Sequence, residues 1–368
     1  MNTEFFTLDE IRRQPQLWED TFERYKNQKN EIEKFIDDIL EKYKKANVIF
    51  TGAGTSQYVG DTIFSYLKTQ HKNLVFESIG TTSIVSSPEE FLRNEPTILV
   101  SFARSGNSPE SVAAIEKAKE TIDDLFQIVI TCAENGALAK NSKNDDRAYL
   151  FLLDERTNDR GFAMTSSFSD MALAALLIFD KKSFEEKEKT VKSLIELGNE
   201  VVSKEDEIEE ITKKYDYNRV VYVGSRAYTG LTREAQLKIL ELTAGEISTV
   251  FDSSMGLRHG PKSFINDKTA FFCFVSNNDY TRLYDVDIIN EVKSDNIATL
   301  IKPISSKNLN LNEFKIKENS LEDAYQSIVY VVFAQFFAAY SAIKVGNDVD
   351  NPSKSGTVNR VVKGVTIH

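Results

Sequence analysis

Two short runs in this 368-residue sequence place glycine and hydroxyl side chains directly after apolar stretches. The first is Gly52-Ala53-Gly54-Thr55-Ser56, between VIFT and a helix-like segment. The second, SFARSGNSPES (101–111), sets Ser101, Ser105 and Ser108 around Gly106, with Arg104 and Asn107 between them and Pro109 where a helix starts. A strand that enters a helix through such a loop turns tightly and points backbone N–H groups, at the positive end of the helix dipole, toward an anion. Taken singly, each run reads equally well as a turn with a helix N-cap. Two of them at the ends of neighbouring parallel strands clasp one phosphate with neutral donors and need little lysine. The dinucleotide fingerprint does not fit, because the third glycine, Gly60, falls two positions late, and no Gly-Lys-Ser/Thr follows to make a P-loop.

Acid-base candidates lie in the second half. Within LTREAQLKILELTAGE (231–246), Glu234, Lys238 and Glu241 follow one another at spacings of four and three, which puts them on one helix face. In isolation the triplet reads as an exposed salt-bridge ladder. His259, one of 3 histidines, sits in MGLRHGPKSFI, a loop before a strand. There it reads first as a structural histidine, yet an ordinary pKa of about 6.5 lets it pass a proton near neutral pH.

The elements that must carry these residues alternate. NVIFTG, NLVFESI, PTILVSF, FQIVIT and AYLFLL are short β-branched and aromatic runs separated by helical stretches, the pattern of a parallel sheet covered on both faces. RVVYVGSRAYTGL (219–231) and TAFFCFVSNND (269–279) echo the first half, although the second has no Ser-Gly pair, so the chain reads as a diverged internal duplication. The boundaries expected are N-terminal helices over 1–46, an α/β domain over 47–195, a second over 196–350, and a tail over 351–368. Thr7 and Glu10 have capping-box spacing, and the charged region 181–215 reads as a solvated helix pair. Residues 324–343 lack charge over a membrane-spanning length, but Gln326, Ser327, Gln335 and Ser341 interrupt them and favour a buried helix.

A net charge of −11 with no basic run argues against nucleic acid. No metal or other cofactor is expected. Cys132 and Cys273 lie in apolar runs and the N-terminus has no signal-peptide core, which together point to a reducing cytoplasm.

GAGTS followed by SFARSGNSPES resembles the sugar isomerase (SIS) domain family over roughly 47–368. NDRGFAMTSSFSDM (158–171) is similar to the galactosamine-6-phosphate deaminase/isomerase type, also called tagatose-6-phosphate ketose/aldose isomerase. The resemblance implies two tandem SIS domains, each a flavodoxin-like three-layer α/β/α sandwich, acting on phosphosugars. By that resemblance Gly54, Thr55, Ser56, Ser101, Arg104, Ser105, Asn107 and Ser108 surround the phosphate, and Thr165 and Ser166 belong to the substrate site. EAQLKILELT and LRHGP resemble the isomerase half of glucosamine-6-phosphate synthase. The likeness makes Glu241 the proton-shuttling carboxylate, His259 the ring-opening histidine, and Glu234 and Lys238 their supports. DVDNP precedes a tail lysine in that enzyme; Lys363 is the match here, with Lys354 as the alternative.

The synthase's lysine in the GFAMTSSF segment is replaced by Ser166, and no N-terminal cysteine stands ready to take ammonia from glutamine, so deamination is the expected direction. The expected reaction is galactosamine 6-phosphate to tagatose 6-phosphate and ammonia, in a homodimer. Alternatives are glucosamine-6-phosphate deamination, plain aldose-ketose isomerisation, fructosamine-phosphate deglycation, or a phosphosugar sensor without catalysis.

Overall fold

The computed structural model describes residues 5–362 and 364–368 and divides into two compact units. One holds Gln16–Asp159, Ser166–Val191 and Thr357–His368; the other holds the chain up to Pro15, Arg160–Thr165 and Lys192–Gly356. Two helices come first, α1 (Phe6–Arg12) and α2 (Gln14–Tyr43). The alternation then runs β1 (Ala46–Thr51), α3 (Thr55–Gln70), β2 (Leu74–Ser78), α4 (Thr81–Ser86), α5 (Pro88–Phe91), β3 (Thr97–Ala103), α6 (Pro109–Thr121), β4 (Leu125–Thr131), α7 (Ala137–Ser142), β5 (Ala148–Leu152) and α8 (Ser166–Phe179). The charged region is the helix pair α9 (Phe184–Ser203) and α10 (Glu205–Lys214), amphipathic, with Val191, Leu194, Leu197, Val201 and Ile208 buried. The second half adds β6 (Arg219–Gly224), α11 (Tyr228–Leu242), β7 (Ser248–Asp252), β8 (Thr269–Phe274), α12 (Asp279–Asp295), β9 (Leu300–Ser305), β10 (Phe314–Lys315) and α13 (Asp323–Lys344).

The first sheet has the order β2-β1-β3-β4-β5 and every pairing is parallel. All seven residues of β3 are buried, as a central strand covered on both faces requires. On one face Phe50 packs against Phe76, Phe102 and Phe179 of α8. On the other, Ile49 and Leu99 cluster with Ile84 of α4 and Ala114 and Ala118 of α6. Period-2 side-chain alternation is enough to build this three-layer sandwich.

The second sheet, read β7-β6-β8-β9-β10, repeats the same topology, again all parallel. Val221, Val223, Phe271 and Cys273 pack under α12, while Tyr222, Phe272 and Phe274 stack on the opposite face toward Tyr228, Tyr330 and Phe337 of α11 and α13. Helix α13 is long and apolar enough to cross a membrane, but 94% of its most apolar window is buried, which makes it a core helix. β7, β9 and β10 have weak sequence signals; Ser248 and Asp252 bound a five-residue strand, and β9 carries Pro303 in its interior.

The capping-box expectation at Thr7 fails. Thr7 lies inside α1, whose N-cap is Phe5. Its N–H and hydroxyl donate to Asp350 at 2.9 and 2.7 Å, while the Glu10 carboxylate accepts from the backbone N–H of Arg160 and Gly161. Long-range partners have taken both groups that a local cap would use.

Candidate active site

In a 2-1-3-4-5 parallel sheet the chain reverses its direction of strand addition between the first and third strands, and loops leaving those strands open a crevice at their carboxyl ends. In the first unit that crevice lies between β1 and β3, and the glycine-hydroxyl runs are the two loops that leave those strands. Gly52 is required by close approach: a Cβ there would stand 2.5 Å from the Ser56 backbone. Gly106 has φ of +65°, left-handed backbone that glycine adopts without cost. Thr55 and Ser56, both buried, open α3, and Ser108 is the N-cap residue of α6 with Pro109 following.

Buried hydroxyls line the strand ends. Thr51 and Ser101 face each other in register across β1 and β3, are 1% and 4% exposed, and neither hydroxyl has a hydrogen-bond partner among the described residues. Thr81, whose N–H donates to Gly52 O at 2.8 Å, carries another buried hydroxyl without a partner among them. Buried polar groups are nearly always satisfied, so these hydroxyls beside a helix N-terminus make this crevice the candidate for binding an oxygen-rich group. Ser105 and Ser108 are half-buried; the Ser108 hydroxyl shares a 2.6 Å hydrogen bond with Ser111. The other predicted residues of this loop have structural work. Asn107 Oδ1 accepts from Ala137 N at 2.9 Å, fastening the loop to α7, and the buried Arg104 donates from Nη2 to the carbonyl of Arg360 at 2.7 Å. A groove of about 580 Å³ lined by Lys119, Gln127, Asp145 and Arg147 lies at the opposite, amino-terminal edge of this sheet and has no part in the crevice.

In the second unit, α11 carries the charge triplet. Lys238 and Glu234 are fully buried, against the exposed ladder that spacing alone suggests. Lys238 Nζ lies 2.5 Å from Glu241 Oε2 and 3.4 Å from Glu234 Oε1, while Glu241 keeps 24% of its side chain exposed. A buried ammonium between two carboxylates holds the outer one in a set direction with one face open, as a proton-transfer group needs. Asn347, absent from the expected set, is buried and donates from Nδ2 to Leu242 O at 2.8 Å and Pro352 O at 3.2 Å, tying the start of the tail to the end of α11 that carries Glu241.

His259 is elsewhere in this unit. It ends a short 3₁₀ turn, Gly256–His259, and is exposed. Leu257 of the same turn packs with Val221, Phe271 and Ile288 on the α12 face, whereas α11 lies on the α13 face. Helix α11 with Glu241 therefore lies on one face of the sheet, and the turn that ends in His259 is anchored through Leu257 on the other. Thr165 and Ser166 are buried: Thr165 O accepts from Gln335, and Ser166 N donates to Asp159. Lys354 is exposed, and Lys363 lies outside the described residues. Among the described residues no three His, Cys, Asp or Glu side chains gather into a metal site.

The second crevice, between β6 and β8, differs. Asp285 accepts from Ser225 Oγ at 3.0 Å, Ser254 Oγ and Ser276 N at 2.9 Å, and its burial raises its pKa. Asp323 accepts from Ser276 Oγ at 2.6 Å and Asn277 N at 2.9 Å, and pairs with Arg226 Nε at 3.1 Å.

A model of the SIS domain matches residues 42–180. The chain is 38% identical to the D-galactosamine-6-phosphate deaminase AgaS of Shewanella sp. (strain ANA-3), over 99% of this chain and 92% of that one. It is 37% identical to the Escherichia coli protein of the same name, over 99% and 95%. The chain belongs to the AgaS family of SIS-domain enzymes. A crystal structure of tagatose-6-phosphate ketose/aldose isomerase from Escherichia coli superposes with a TM-score of 0.91 at 34% identity, covering 100% of this chain and 97% of that one. Membership agrees with the fold class, the duplicated α/β organisation and the enzymatic character expected from the sequence.

Proposed function

We propose that this enzyme of the AgaS family converts galactosamine 6-phosphate and water to tagatose 6-phosphate and ammonia. The hydroxyl-rich crevice of the first unit receives the phosphate through Ser56, Ser105 and Ser108, with Ser101 and Thr55 beside them. His259 passes a proton to the ring oxygen and opens the sugar. Glu241 then takes the C2 proton and returns it at C1 of the enolamine, leaving a C2 imine that water hydrolyses to the ketose. The observation that carries this reading is Lys238, wholly buried against Glu241: a charge array kept out of solvent at such a cost serves chemistry better than solubility.

The turn that ends in His259 and the helix of Glu241 are anchored on opposite faces of one sheet, so the reading takes the enzyme as a homodimer in which the histidine acts with the carboxylate of a second copy. Lys363 is assigned the role of polarising the C1 or C2 oxygen. The buried thiols Cys132 and Cys273 suit a reducing cytoplasm.

The name carried by the Escherichia coli structure favours a second reading, aldose-ketose isomerisation without loss of nitrogen, which the same cradle and carboxylate could perform. Ammonia release measured with galactosamine 6-phosphate, glucosamine 6-phosphate and a fructosamine phosphate separates the readings. Glu241→Gln should lower turnover about 10³-fold while phosphosugar affinity holds; turnover at the wild-type rate removes Glu241 as the base.

A further inference from the structure

The NDRG run at 158–161 opens the segment that resembles the family, yet none of the chemistry above uses it. Its first two residues face the C-terminal tail. Arg360 Nε donates to Asp159 O at 2.9 Å, and Nη2 donates to Asn158 Oδ1 at 2.9 Å and also to Asp159 O. The carbonyl of Arg360 in turn accepts from Arg104 Nη2 at 2.7 Å, and Arg104 stands one residue before Ser105 in the phosphate loop.

Asp159 is itself anchored. Its buried carboxylate takes Ser166 N and Ser167 N at 3.0 Å each and Ser167 Oγ at 2.5 Å, which caps the fully buried α8. The tail thus meets a rigid receptor on one side and the phosphate loop on the other. Every one of these bonds joins parts of the first unit, and through them Thr357–His368 belongs to that unit although it ends the chain.

We propose that Asn158 and Asp159 form a clasp for the C-terminal tail, and that Arg360 is a positioning residue that holds the tail in register with the phosphate loop through Arg104. A guanidinium fork reading a carbonyl and a side-chain amide oxygen fixes orientation as well as distance, which a lysine would not. The predicted tail lysine, Lys363, follows three residues later, so the clasp sets where the final residues of the chain begin. The catalytic part of this inference rests on the deaminase reading; the clasp itself does not.

The test uses full-length Arg360→Ala and Asn158→Ala, the second keeping the tail sequence intact in case the first perturbs folding. Hydrogen exchange of the amides over 357–362 should accelerate at least about tenfold in both variants as the local structure opens. With galactosamine 6-phosphate, kcat should fall about 10- to 100-fold through misplacement alone, while affinity for inorganic phosphate changes by less than about twofold, since the cradle hydroxyls are untouched. Unchanged tail exchange in both variants overturns the clasp. A loss of phosphate affinity as large as the loss of kcat overturns the positioning role. If the wild type releases no ammonia, the deaminase reading fails while the exchange result still decides the clasp.

Discussion

The two units present the same crevice twice and finish it in opposite ways. Between β1 and β3, the Thr51, Ser101 and Thr81 hydroxyls are buried without partners among the described residues. Between β6 and β8, Ser225 Oγ, Ser276 N and Oγ and Asn277 N donate to Asp285 and Asp323, and the buried Tyr228 hydroxyl at the start of α11 is the one left without a partner among the described residues there. A carboxylate offers two oxygens to N–H and O–H donors much as a phosphate does, so the chain supplies its own acceptors to the second crevice, whereas the first, under the proposed function, is where the phosphate binds. The lesson is that a repeated fold does not repeat a site; what matters is whether the donors at the strand ends are already taken.

That contrast can be broken by exchanging what each crevice holds. The largest effect belongs to the first unit: Ser56→Ala combined with Ser105→Ala should raise KM for the phosphosugar by about 100-fold or more, given about 1.5–3 kcal/mol for each hydrogen bond to a charged group. A steady-state assay that finds KM unmoved would remove the cradle. Next, Asp285→Ala strips the partner from three donors, two of them fully buried, and should cost about 3 kcal/mol of stability, read from chemical denaturation; a loss below about 1 kcal/mol would mean that the second crevice does not depend on its internal carboxyl.

A smaller effect concerns pH. Burial holds the Asp285 carboxyl above its ordinary value, so the folded protein keeps that proton where the unfolded chain has lost it. Its contribution is full below the unfolded pKa of about 3.9 and declines as pH rises through the raised value. The stability gap between wild type and Asp285→Asn should therefore shift against the wild type on going upward from about pH 4; a pH-independent gap would contradict this. The smallest effect sharpens the comparison from the other side: Ser276→Ala should leave KM within about twofold, since that hydroxyl serves Asp323 and no substrate contact is lost. A tenfold rise would make the second crevice a participant.

Much of this molecule is legible locally. The five apolar runs of the first half are β1 to β5, and the glycine-hydroxyl loops sit at the two strand ends that flank the crevice. The helix spacing of Glu234, Lys238 and Glu241 does bring them onto one face. These features depend on periodicity and on backbone turns, which a dozen neighbouring residues dictate.

Other features depend on residues far apart in the chain, and no local pattern contains them. Whether the α11 triplet is a solvated ladder or a buried array depends on packing by segments outside the helix, and Glu234 and Lys238 are in fact fully buried. Thr7 has the spacing of a cap and is claimed instead by Asp350, and Arg360, which no local pattern singles out, is received by Asn158 and Asp159. The opposite placement of the Glu241 helix and the His259 turn follows from which face of the sheet each connection crosses, something residue types do not encode. Sequence alone thus determined the elements and the chemical character of their loops, because short-range sterics and hydrophobic period act within a segment. Tertiary structure decided burial, pairing and facing, because desolvation and hydrogen-bond competition are settled only when distant segments meet.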